Sequence, residues 1–437
     1  MQRRWLRSAR RGPRRAWSHG RMSDELAGLS RRSLEERRAL VARRLGITRE
    51  SLDDALLGGG LDEATANRAI ENVLGTLALP FAVATRFVID TVPRLIPMAV
   101  EEPSVVAAAS AGAKRIAQGG GFTVDTDPPI TTAEVELLGV LDVDRARSAL
   151  ADANEPLVEK AATILPGLVA RGGGLREIEL LTFGDSVVVH LHVDCRDAMG
   201  ANLVNTLAEA LAPELVQLTG GEPGVAIVTN LADRRKVRVR ARVSAEALGG
   251  LQVRDGIARM STLAERDPYR ATTHNKGIMN GVDAVVLATG NDWRAVEAGA
   301  HAWAARTGRY QPLCRWWAEG DDLVGELEMP LALGIVGGIG RIHRLARFAV
   351  ELSGAQSAME LAGFAAAAGM ACNLSATRAL VTDGIQAGHM ALHARSVAAA
   401  AGAVADEVDE VARRIHQAGT VGLEAARAAL SELRRER

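Results

Sequence analysis

Aromatic side chains make up only 3% of the 437 residues, so any core must close through small and aliphatic groups. Cysteine is nearly missing. Cys195, Cys314 and Cys372 are odd in number and far apart, which excludes a disulfide framework and a cysteine metal-ligand set and fits a reducing compartment. Neither sign of charge dominates: 52 basic residues face 53 acidic ones, so the whole molecule exerts no pull on nucleic acid or acidic membranes. No stretch reads as a membrane span. The region Ser353 to Thr377 is mostly Ala and Gly but contains Glu360, and the apolar run around Ile96 stops at Glu101 and Glu102. Both read as buried helices. A Rossmann fingerprint is missing too, because Gly338-Ile-Gly340-Arg lacks the third glycine and the acidic residue that should follow.

What is present is Ala, Gly, Leu and Val in abundance, over a length that suits two or three domains. Together these predict a helix-rich α/β protein packed through small residues. Met1 to Ser23 carries eight arginines and no acid. It reads as a mis-called extension upstream of a start at Met22, with a transit peptide or a nucleic-acid-binding arm as alternatives.

Ser33-Leu-Glu-Glu36 predicts a capping box opening a helix that stops at Gly46. Leu61 to Leu74 is helical in pattern. Glu102 sits at the entrance of a helix that starts near Pro103 and ends at Gly119-Gly120-Gly121. The texture changes near Thr126. Strands are expected at Glu134–Leu141, Glu177–Phe183, Ser186–Cys195, Gly224–Thr229 and Lys236–Val243, with helices at Val143–Ala170 and Ala201–Leu211. Further on, a strand at Ala284–Ala288, a helix at Trp293–Arg306 and a strand at Val324–Val336 are expected. The end of the chain is helical, with a hinge at Asp383-Gly384 and Gly388.

Taken singly, the chemically suggestive residues have ordinary explanations. Asp292 suits a helix N-cap, Lys276 a solvated loop, Glu102 a helix-dipole carboxylate and His389 a packing histidine. Asp197-Ala-Met-Gly200 follows an apolar strand and opens a helix, so its free amides could receive a pyrophosphate.

Several longer strings carry more weight. They are Glu71-Asn-Val-Leu-Gly-Thr76, Ile96 to Ser110, Asp197-Ala-Met-Gly-Ala-Asn202, Thr273-His-Asn-Lys-Gly-Ile-Met-Asn-Gly281, Gly290-Asn-Asp-Trp to His301, and Gly388-His-Met-Ala-Leu-His-Ala-Arg395. In this order, and over nearly everything after about residue 30, the chain resembles class II (bacterial-type) 3-hydroxy-3-methylglutaryl-coenzyme A reductases. The segment Ile339-Gly-Arg-Ile-His-Arg344 departs from the family pattern, as does the amino-terminal extension.

The resemblance implies an α/β (α+β) fold: a large substrate-binding domain, an inserted smaller non-Rossmann nicotinamide-binding domain and a C-terminal helical flap. Its boundaries would be 1–22 for the extension, 23–125 and 231–382 for the large domain, 126–230 for the insertion and 383–437 for the flap. It also implies a cytoplasmic homodimer with shared active sites, often assembled as a trimer of dimers, with no nucleic-acid or membrane partner. Glu102, Lys276, Asp292 and His389 match the family's catalytic positions, and Ser104, Arg270 and Asn280 its substrate contacts. Asp197, Met199, Gly200 and Asn202 belong to its cofactor motif. Glu155 falls where NADH-preferring relatives place an acid against the adenosine ribose, which favours NAD(H) over NADP(H); no metal is expected. The implied substrates and products are 3-hydroxy-3-methylglutaryl-CoA, mevalonate and coenzyme A. A non-catalytic acyl-CoA-binding homologue and a reductase of another carboxylated acyl-CoA are the alternatives.

Those roles suit the chemistry. Reduction of a thioester builds negative charge on oxygen, which a fixed ammonium such as Lys276 stabilises. A group titrating near neutrality, His389, can protonate the departing thiolate, from a flap that closes after binding. Glu102 would donate a proton to the aldehyde oxygen, and Asp292 would hold Lys276.

Overall fold

The computed structural model describes residues 28–184, 186–382, 384–404 and 406–436, with the side chains of residues 30 and 385–392 outside that set. The extension 1–22 and Asp383 of the expected hinge lie outside the described residues. The chain divides into two compact units, one ending at Leu52 and one from Asp53 onward.

In the first unit the capping box forms as its sequence predicts. The Ser33 amide donates to Glu36 Oε2 (2.7 Å) and the Glu36 amide to Ser33 Oγ (3.2 Å). Helix Leu34–Leu45 then ends on Gly46 at φ 67.

Among the described residues the second unit holds ten strands: β1 Phe81–Ile89, β2 Val92–Ala99, β3 Phe122–Thr126, β4 Ile130–Leu138, β5 Gly174–Phe183, β6 Ser186–Asp194, β7 Glu222–Val228, β8 Lys236–Ser244, β9 Cys314–Glu319 and β10 Asp322–Pro330. Six helices bear on the site: α1 Val105–Gln118, α2 Ala201–Thr219, α3 Pro268–Ala288, α4 Trp293–Ala304, α5 Ala358–Val381 and α6 Ile385–Ala400.

One sheet runs β2-β1-β3-β8-β10-β9. Its pairs are antiparallel apart from β1 with β3. Helices α1, α3 and α5 share its core, and they pack backbone to backbone. A Cβ on Gly112 would lie 2.1 Å from the Ala371 carbonyl oxygen, and one on Gly281 2.4 Å from that of Ala368. This close approach is what the chain's small residues permit. Helix α5 is long and apolar enough to cross a bilayer, yet 67% of its most apolar window is buried inside the protein, in agreement with the buried helix expected there.

A second, antiparallel sheet runs β5-β6-β4-β7. Val187, Val189, Leu191 and Val193 of β6 point to one face, where Val204, Leu207 and Leu211 of α2 close a separate core. The C-terminal helices, α6 with Asp406–Gln417 and Leu423–Glu436, gather a third cluster around Ala398, Val411 and Leu430.

Several sequence expectations need correction. The apolar run around Ile96 is strand β2 and not a helix. As the edge strand it tolerates Pro93 and Pro97, which cost little where no neighbour needs their missing N–H. The expected strand Ala284–Ala288 is the end of the 21-residue helix α3, buried on most sides and therefore lacking a helical period. The expected helix Val143–Ala170 breaks into Val143–Asp152, Asn154–Ile164 and Pro166–Val169. Leu61–Leu74 is helical only over Glu63–Ala69. The strand expected to reach Val336 stops at Pro330, and β9 had not been expected.

Candidate active site

Helix α3 begins at Pro268, a residue suited to the first turn, capped by Asp267. At about 100° per residue, Lys276, Asn280, Thr273, Gly277 and Arg270 share an arc of about 120°. The residues between them anchor the helix. His274 is buried, and its Nε2 bonds the Cys314 carbonyl oxygen at 3.0 Å. Burial lowers the His274 pKa to about 4, so it is neutral and structural. Asn275 donates to the Gln311 carbonyl and accepts from the Leu313 amide, both at 2.9 Å. Two residues of the His-Asn-Lys string thus fix the rotation of α3 and leave the third facing outward.

Lys276 Nζ donates to Glu102 Oε2 at 2.7 Å, across 174 positions of sequence. Their side chains are 60% and 37% exposed. Glu102 lies in the turn before α1, two residues ahead of the cap residue Ser104. Ser104 has φ 77, does not cap α1 with its side chain, and has a buried Oγ with no hydrogen-bond partner. A left-handed serine with an unused hydroxyl stores strain that a ligand can repay. Arg270 presents the same signature. Its Nε is buried without a hydrogen-bond partner, no acid pairs with it among the described residues, and burial lowers its pKa. A half-buried, unpaired guanidinium is prepared for an anion. Asn280 is partly exposed on the same arc.

Asp292 is engaged as a helix cap. Its Oδ1 accepts from the Arg294 and Ala295 amides (3.1 and 3.2 Å) as the N-cap of α4, and lies 3.3 Å from the Arg294 guanidinium. No hydrogen bond or ion pair joins it to Lys276 among the described residues. Its Oδ2 has no protein partner there. His389 belongs to α6, but its side chain lies outside the described residues.

The Asp197–Gly200 turn leads into α2. Gly200 adopts φ 106 and offers no side-chain cap, so the first-turn amides of α2 stay free for an anion. A Cβ on Gly200 would meet Cys195 Sγ at 2.5 Å, which reserves the position for glycine. Asp197 Oδ1 accepts from the Ala358 amide (3.0 Å), and Asn202 is exposed in the first turn of α2. Met199 contributes its carbonyl to Thr131 Oγ1 at 2.9 Å.

Two residues that the sequence reading passed over hold this turn. Arg235 is 3% exposed, and its guanidinium donates to the carbonyls of Ala198 (3.1 Å), Met199 (3.2 Å) and Leu333 (2.5 Å). Burial lowers its pKa to about 10, still far above neutrality. Asn291 clamps Gly334 through both its amide groups (2.7 and 3.1 Å), and a Cβ on Gly334 would lie 2.6 Å from the Met199 nitrogen. The Asp292 turn and the Met199 turn are thereby tied together. The hint in the sequence was that Asn291 adjoins Asp292 in the Gly290-Asn-Asp-Trp string.

The family description "Hydroxymethylglutaryl-coenzyme A reductase" matches residues 33–394. The chain belongs to this family. A 3-hydroxy-3-methylglutaryl-coenzyme A reductase of Archaeoglobus fulgidus is 43% identical over 418 residues, 94% of this chain and 95% of the relative. Among solved structures, a reductase of Streptococcus pneumoniae superposes with a TM-score of 0.79 at 38% identity, covering 93% of this chain and 99% of that one. A class II reductase of the same organism, bound to NADPH in open conformations, gives 0.79 at 37% identity, covering 82% and 100%. The likeness to class II reductases read from the sequence is therefore borne out.

That NADPH-bound relative overturns the expected preference for NAD(H). The physical basis of the expectation is also weak in this reductase. Glu155 is an exposed first-turn residue of helix Asn154–Ile164, where the helix dipole alone accounts for a carboxylate.

Proposed function

We infer that this chain interconverts 3-hydroxy-3-methylglutaryl-CoA with mevalonate and coenzyme A, in two reductive steps through a mevaldyl-CoA hemithioacetal and mevaldehyde. The observation that carries the reading is the Lys276–Glu102 pair, with two buried polar atoms left without a partner on the same two segments, Ser104 Oγ and Arg270 Nε. Such a set suits a carboxylate-bearing acyl group whose carbonyl oxygen gains charge.

The division of labour follows from the donors. Arg270 and Ser104 hold the substrate carboxylate and hydroxyl, with Asn280 beside them on α3. Lys276 donates to the thioester oxygen and stabilises it as charge accumulates. The hemithioacetal collapses by loss of coenzyme A thiolate, for which His389 supplies the proton. Glu102 delivers a proton to the aldehyde oxygen in the second reduction, and Lys276 again steadies that oxygen. A nicotinamide cofactor, when bound, supplies the hydride. The free amides of α2 suit its pyrophosphate, held at the turn of Asp197, Met199, Gly200 and Asn202.

Residues 126–230 would form the cofactor domain inserted between 23–125 and 231–382, and residues 383–437 the flap that brings His389 in. Two copies would complete each site. Lys276 is 60% and Asp292 40% exposed within one chain, and the unpaired Oδ2 of Asp292 is free to approach a partner's lysine. Leu74 and Leu77, 103% and 94% exposed in the stretch before β1, supply apolar surface for such an interface.

The test is a forward and reverse assay of the purified chain, following nicotinamide absorbance and thiol release together. About two nicotinamides oxidised per thiol released is the expected stoichiometry. Thiol release without nicotinamide consumption rules the reading out.

A further inference from the structure

The β5-β6-β4-β7 sheet has a polar face that the reductase chemistry leaves unused. His190 and His192 stand two residues apart on β6 and so point the same way. His190 pairs in register with Glu134 of β4 and Glu179 of β5, and His192 with Thr132 of β4. One ligand atom each from Glu179, His190 and His192 lies within 4.8 Å of the other two, the one such group of three among the described residues. His192 Nε2 is 3.2 Å from Glu179 Oε2, and its Nδ1 is 2.8 Å from Thr132 Oγ1. His190 Nε2 is buried with no hydrogen-bond partner, and lies 3.8 Å from Glu134.

Two histidines satisfied by neighbouring acids would be an ordinary packing arrangement. His190 does not fit that description, because its inward nitrogen is left bare. The surrounding charge also favours a cation. Glu134, Glu179 and Asp233 all act on His190, and Glu177 stands nearby against the single guanidinium of Arg234, which spans Glu177 (3.2 Å) and Glu179 (3.0 Å).

We propose that Glu179, His190 and His192 form a binding site for a zinc-class divalent cation that ties β5 to β6. Two imidazole nitrogens and one carboxylate oxygen are a borderline-soft set suited to Zn²⁺ or Co²⁺, with water or Glu134 in the fourth position. Bond lengths of about 2.0–2.2 Å place tetrahedral ligands about 3.4 Å apart. The Glu179–His192 pair already meets that spacing, and rotation of His190 closes the third side. Thr132 fixes the His192 ring from behind, the usual role of an outer partner. Strand β6 runs on to Asp194, three residues before the Asp197–Gly200 turn, so the ion clips the strand that feeds it.

The experiment uses the full untagged chain, stripped with chelator, titrated with Zn²⁺ by calorimetry and with Co²⁺ by visible absorbance. One ion per chain, a four-coordinate Co²⁺ spectrum and a rise in Tm with Zn²⁺ are expected. His190→Gln and Glu179→Gln should each weaken binding at least about tenfold while leaving reductase turnover of the metal-free chain intact. His192 is 4% exposed and its removal risks the fold, so these two variants carry the test. Absence of saturable binding below about 100 µM, or undiminished binding in both variants, overturns the proposal.

Discussion

Replacing Lys276 by methionine separates the two roles its side chain could have. The stem and its packing are kept, while the ammonium 2.7 Å from Glu102 is removed. If the pair served stability alone, little should change. With side chains 60% and 37% exposed, solvent screens it, and exposed pairs contribute about 0–1 kcal/mol. In a chain of this size that amounts to a Tm shift of at most about 2–4 °C. If Lys276 steadies an oxyanion, its loss should lower kcat by about 10²–10³, or about 2.7–4 kcal/mol of transition-state stabilisation. The two expectations differ by about 2 kcal/mol or more, enough to separate them in paired measurements. Turnover would be followed by NADPH absorbance with saturating thioester, and stability by a thermal melt of the same preparation. A folded variant that keeps its turnover to within about threefold refutes the assignment, because no transition-state contact could then reside in that nitrogen.

Glu102→Gln should abolish the overall conversion yet retain part of the reduction of added mevaldehyde, since an amide still polarises a carbonyl; thioester reduction at the unaltered rate would remove Glu102 from the mechanism. Arg270→Ala should raise KM for the carboxylated thioester by about tenfold to a hundredfold, the worth of a charge-assisted contact, with a smaller effect on kcat. An unchanged KM would place the substrate carboxylate elsewhere. Asp283 offers a pH test: burial and the adjacent Glu297 raise its pKa from 3.8 to about 8. The folded state then holds a proton that the unfolded chain releases, so this contribution to stability is complete below about pH 4 and falls away as pH climbs towards 8. Asp283→Asn should flatten that part of the profile, gaining on the unaltered chain between pH 5 and about pH 8 in urea midpoints. A constant offset across that range contradicts it.

Local chemistry was legible in the sequence because its causes are local. The Ser33–Glu36 capping box, the Asp292 cap and the glycine at position 200 each follow from groups within a few residues of one another. The long matching strings also identified the family and the alternating pattern gave most of the second sheet. What stayed hidden depends on neighbours distant in sequence. The run around Ile96 has the composition of a buried segment of either kind, and only its place at a sheet edge makes it a strand. The end of α3 is apolar on most sides because α5 and the sheet surround it, and a helix buried on every side has no period to read. The site shows the same division. The matching strings, not the residue types taken singly, pointed to Lys276 and Glu102, and their contact spans 174 positions and exists because His274 and Asn275 fix the rotation of α3. Arg235 carries no sequence signal of its own, and Asn291 only its place in the Gly290-Asn-Asp-Trp string. Their importance comes from the carbonyls and amides that tertiary folding brings to them.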